Sequence, residues 1–163
     1  MTHRMAAVLL ALMVMLVVPG VASADRPVRE LIDLAPDDVT DACGFPVLVH
    51  SEGTIVRTTW LDEDGDPVRA IETYRDFRYV LTNQETQEQV SVAIPGPAFY
   101  VFNADGSTTV TGTGPWGWYP DNPETGEPGI FLFTGRLTFT FDEENFSFDL
   151  LSGRAVNMCA AIA

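Results

Sequence analysis

Apolar and polar residues alternate with period two through much of the chain. Leu137, Phe139 and Phe141 share one parity, with Thr138 and Thr140 on the other. Phe146, Phe148 and Leu150 repeat the pattern against Ser147 and Asp149, and Val90, Val92 and Ile94 repeat it against Gln89, Ser91 and Ala93. Strict alternation marks strands with one buried and one wet face. Turn residues separate such runs every few positions. The predicted strands are 45–50, 54–61, 68–74, 78–82, 89–94, 98–102, 108–113, 130–135, 137–141, 146–151 and 154–160. Asp105-Gly106 forms one hairpin turn. Residues 142–145 form another, which sets the Phe139 and Phe148 rows side by side. Gly135 is read as a bend or bulge inside one longer strand. The run Ile130-Phe131-Leu132-Phe133 does not alternate, so it is expected to be covered on both faces.

These elements predict an all-β chain. About eight to ten short antiparallel strands must hide their edges, which a small barrel does by closure; a β-sandwich is the alternative. No run beyond residue 43 keeps a helical period over three turns. The exception lies upstream, where Val28, Leu31, Ile32 and Ala35 fall at helical spacing before Pro36. Residues 25–42 are therefore read as an acidic N-terminal arm with at most one or two helical turns.

Residues 1–24 have a different texture. Arg4 precedes an unbroken apolar run from Met5 to Val18, Pro19-Gly20 breaks it, and Ala22-Ser23-Ala24 follows. A basic start, an apolar centre and a small-residue exit make a secretory signal peptide. The run is shorter than the roughly 20 residues a spanning helix needs. The expectation is export, with localisation outside the cell or at its envelope, and no membrane span after cleavage. The folded domain is then 43–163.

Composition sharpens this. The chain has 163 residues, 23 Asp+Glu against 9 Lys+Arg, and net charge −14. All of the basic residues are Arg. This balance argues against nucleic acid as a partner, because phosphate binding needs clustered basic residues. The acids are dispersed, which reads as a solvating surface. The two cysteines, Cys43 and Cys159, bracket the domain. In an oxidising compartment they are expected to pair and staple it.

Candidate chemistry is sparse. His50 is the sole histidine after residue 24, and no Gly-x-Ser-x-Gly turn presents a nucleophile for it. Zinc needs several His or Cys ligands. The run Asp62-Glu63-Asp64-Gly65-Asp66 places Pro67 and Thr73 where a calcium loop requires Gly and Glu, so it reads as an acidic turn. No catalytic residue, metal ligand or cofactor is assigned. The long Pro/Gly-rich connection 114–129 stands apart, because Trp116, Trp118 and Tyr119 cluster there. Long connections of this kind are often functional, and Trp and Tyr suit sugar faces and protein hot spots. The plainer reading is a lid whose Trp side chains plug one end of the barrel. Trp116, Trp118, Tyr119 and Arg136 are the candidate ligand-binding residues.

Several segments occur together: Cys43-Gly44-Phe45-Pro46-Val47, Leu81-Thr82-Asn83, Gly96-Pro97, Asp105-Gly106, Pro128-Gly129-Ile130 through Gly135-Arg136, and Cys159. In these the chain resembles uncharacterised secreted actinobacterial β-domain proteins. The resemblance implies export and a disulfide-closed β domain, and brings no activity. The expected function is a secreted, non-catalytic binding or cell-envelope role, with a small ligand, a glycan or an envelope protein as partner. The alternatives are lipocalin-like binding of a small apolar ligand, or a carbohydrate-active protein using paired carboxylates and the 116–119 loop.

Overall fold

The computed structural model describes residues 26–118 and 120–163. The signal-peptide reading of residues 1–24 falls outside them. Ten strands form one antiparallel sheet: β1 (Val28–Ile32), β2 (Asp38–Thr40), β3 (Val47–Leu61), β4 (Pro67–Asn83), β5 (Gln89–Ala93), β6 (Ala98–Phe102), β7 (Thr108–Thr113), β8 (Trp116–Trp118), β9 (Phe131–Phe141) and β10 (Phe146–Asn157). A 3-10 turn, Cys159–Ala161, follows. The order across the sheet is β1-β3-β4-β6-β7-β9-β10. At the opposite end β2 pairs with β3, β5 with β4, and β8 with β9. Among the described residues no helix is long and apolar enough to cross a membrane.

The expected barrel does not close. The sheet path ends at β1 and β10, and these two strands do not pair with each other. The disulfide exists, with Cys43 bonded to Cys159. It joins the segment before β3 to the turn after β10, and so fixes two points without supplying a ladder. The β10 edge is also blunted. The register slips between Leu150 and Ser152, leaving Leu151 as an exposed bulge, and the Leu150 N–H donates to Glu124 Oε1 at 3.3 Å. Bulges and edge-capping acids both oppose further pairing. The N-terminal arm also departs from expectation. It contributes β1 and β2 to the sheet edge, not a helix, with Val28–Ile32 laddered against Ile55–Thr59.

Pairs of predicted strands fuse into long ones through kinks. Gly53 in β3 has φ +109, beside Asp76 in β4 with φ +50, and the register shifts between Glu52 and Thr54. In β9 and β10, Gly135 and Gly153 face each other with φ +114 and +115; a Cβ on either would run into the carbonyl of Ser152 or Thr134. These conformations favour glycine. The Asp76 bulge also resets side-chain parity, so that Ala70, Glu72 and Tyr74 share the inner face with Tyr79, Leu81 and Asn83. Beyond the kinks the sheet ends fold toward each other. Val47, Val49 and Leu81 from β3 and β4 pack with Ile130 and Ile162. Phe131, Phe133 and Leu137 form a second cluster with Trp116, Trp118, Phe148 and Leu150 around it. Asn83 pins the C-terminus by donating from Nδ2 to the Ile162 carbonyl at 2.9 Å.

Candidate functional site

The inner face of β4 carries the buried acid Glu72, 4% exposed. Its register partner on β3 is Arg57, and on β6 it faces Ala98, next to Tyr100. Arg57 donates to Glu72 Oε1 from Nε at 2.9 Å and from Nη2 at 2.5 Å. Tyr74 and Tyr100 each donate a hydroxyl hydrogen to Oε2 at 2.9 Å. The Arg57 guanidinium also lies 5.3 Å over the Tyr100 ring. Burial, and then the Glu72 charge, push both phenols above the ordinary tyrosine range. Burial works against the Arg57 charge, but the Glu72 hydrogen bond and charge outweigh it and hold the guanidinium above its ordinary value. Both Glu72 oxygens are thus committed to donors. Such a carboxylate neutralises a partly buried cation; it is not poised to exchange protons with a substrate.

Next to this tetrad lies an aromatic array. Trp116 stands edge-on to Tyr74 at 6.3 Å and to Phe139 at 6.0 Å. Gly112 on β7 lies beneath its indole with no room for a Cβ. Trp116 Nε1 is buried without an acceptor among the described residues. Trp118 packs against Phe139, Phe146 and Phe148 at 5.8, 5.4 and 5.9 Å. The array reaches solvent at the β9–β10 tip, where Phe141 is 39% and Phe146 50% exposed. The turn between them carries Asp142, Glu143 and Glu144, and with Asp105 from the β6–β7 turn these line one open hollow of about 310 Å³. Turn hydrogen bonds hold Asp105 and Asp142 below the ordinary carboxylate value: Asp105 accepts from Ser107, and Asp142 from Glu144 and Asn145. Both therefore carry charge at neutral pH.

The structure separates the candidates named from sequence. Trp116 and Trp118 sit together on β8, a strand inside the predicted loop, and their rings pack against Phe139 and Phe148 of β9 and β10 rather than plugging the end of a closed barrel. Arg136 does not join them. It is exposed on the opposite face, where it borders a hollow with Phe99, Thr111 and Thr113. Tyr119 lies outside the described residues. His50 is exposed, with Nδ1 2.5 Å from Asp37 Oδ1 and Nε2 3.9 Å from Glu52 Oε1. Asp62 Oδ1 is taken by the backbone N–H groups of Asp64 and Asp66, which closes the acidic turn on itself. Among the described residues no cluster of three or more His, Cys, Asp or Glu could hold a metal. The apolar cavity between the folded ends, lined by Val49, Leu81, Trp118, Ile130 and Met158 among others, measures about 20 Å³. That is room for about one water, far below a ligand pocket.

Sequence reasoning missed Arg57, Glu72, Tyr74 and Tyr100. The available signal was an acid at the same parity as Ala70 and Tyr74. The Arg57 partnership and the resetting of parity at Asp76 are long-range facts that no local pattern carries. No protein-family model, curated protein or solved structure matches the chain.

Proposed function

We propose that this chain is an exported, non-catalytic binding domain, akin to the secreted actinobacterial proteins it resembles. It grips a protein partner through the aromatic tip of the β9–β10 hairpin. The observation that carries the reading is the half-exposed pair Phe141 and Phe146. They stand on rings already fixed by Phe139 and Trp118, and beside the charged Asp105 and Asp142. Rigid aromatic anchors lose little freedom on binding, which is why they dominate interfaces. The flanking acids select a partner segment with apolar and basic side chains. The apolar run Met5–Val18 and the disulfide support export. The glycan and glycosidase alternatives draw less support. Trp116 and Trp118 spend their rings on neighbours, and the buried acid Glu72 is fully engaged. Surface plasmon resonance with a synthetic Lys/Leu amphipathic peptide tests the proposal. Binding should weaken with salt, vanish in Phe141→Ser/Phe146→Ser, and be absent for a Glu/Leu peptide. Equal binding by the variant, or none by the wild type, would overturn it.

A further inference from the structure

The connection between β1 and β2 crosses the inner side of the β3–β4 kink. Leu34, Ala35 and Pro36 there roof a recess of about 140 Å³ whose floor and walls are Val49, Ser51, Ile55, Phe77 and Tyr79. The recess is unlike the cavity between the folded ends, being about seven times larger in volume. An apolar cavity of about 150 Å³ admits a benzene-sized molecule. Two hydroxyls interrupt the apolar lining. Tyr79 is partly buried, and its ring packs on Phe77 at 5.3 Å. Burial alone raises it above the ordinary tyrosine value, so it stays a neutral donor and acceptor. Ser51 is its direct register partner across β3 and β4. A largely apolar recess with two hydroxyl-bearing residues in its lining has the make-up of a small-ligand site.

We propose that this recess binds a small phenol-class molecule, with the aromatic ring against Ile55 and Phe77 and its hydroxyl on Tyr79 and Ser51, under a lid made of Leu34–Pro36. The lid is anchored at both ends by ladders, Val28–Ile32 on β3 and Asp38–Thr40 on β3. Its last residue before β2, Asp37, is tied to His50 at 2.5 Å. The site is separate from the aromatic tip, so the two readings stand or fall independently.

Methyl and amide NMR on the full folded domain, titrated with phenol and with benzene at millimolar concentration, tests it. Both probes should saturate, with shifts at Leu34, Val49 and Ile55, and phenol should bind about 3- to 10-fold more tightly, the worth of one hydrogen bond. Tyr79→Phe should erase that preference while benzene still binds, a readout that a merely unfolded variant cannot give. Ser51→Leu fills the recess and should abolish both titrations in a protein whose circular dichroism spectrum is unchanged. Absence of saturation by either probe, shifts confined to the β9–β10 tip, or a phenol preference that survives in Tyr79→Phe would overturn the proposal.

Discussion

Nη2 of Arg57 on β3 stands 2.5 Å from Oε1 of Glu72 on β4, and Glu72 is almost wholly buried. Removing one member leaves the other charge stranded. Arg57→Met should therefore destabilise the domain by about 3 kcal/mol, the low end for a buried pair because Arg57 keeps some solvent. Arg57→Met/Glu72→Met should recover much of that loss, since an apolar pair of similar volume needs no partner. Urea denaturation of the three proteins checks both.

The facing glycines Gly135 and Gly153 set the second kink. With φ +114 and a carbonyl against its Cβ position, Gly135→Ala should cost about 3 kcal/mol. Gly106 also has positive φ, at +88, but open space around it. Gly106→Ala should cost only about 1–2 kcal/mol. Thermal unfolding should rank them in that order.

The Cys43–Cys159 bond closes a loop with a sequence separation of 116. Replacing both cysteines by Ser should lower stability by about 4–5 kcal/mol through loop-closure entropy. Intact mass of the oxidised protein should lie two hydrogens below the reduced value, and a free-thiol signal from the folded protein would contradict the staple.

His50 is held above its ordinary value of 6.5, chiefly by its hydrogen bond with Asp37, then by the charges of Asp37 and Glu52, against a desolvation cost. Glu52 is itself shared with Arg78 at 2.6 Å. A raised folded value means that the contact contributes fully below pH about 6.5 and is lost as pH rises through the folded value. Hydrogen exchange at Leu34, Ala35 and Asp37, corrected for intrinsic rate, should therefore speed up as pH rises above about 6.5. His50→Gln should show no such step.

Much of this fold is legible in the sequence because alternation is local. The β9–β10 hairpin forms in the expected register, with Phe148 opposite Phe139, and β6 and β7 run over the predicted residues. Gly53 was less informative: Glu52-Gly53 has the composition of a turn, yet here it is a bulge inside β3. Val28, Leu31, Ile32 and Ala35 fit helical spacing, but the free edge of β3 captures Val28–Ile32 as a strand. Trp116–Trp118 became β8 because β9 offered an edge beside Phe131–Phe133. In each case a tertiary partner overrode a local preference. The same holds for the site: alternation puts Phe141 and Phe146 on the buried face, yet at the hairpin tip they are 39% and 50% exposed, and the gathering of Asp105 with Asp142 depends on two turns meeting.

The proposed binding surface is tested most directly by amide NMR of the uniformly labelled domain during titration with the Lys/Leu amphipathic peptide. Shifts should concentrate at Trp118, Phe141, Asp142–Asn145 and Phe146 and should shrink as salt is raised. Shifts scattered over the opposite face around Phe99 and Arg136, or no shifts at all, would contradict the account.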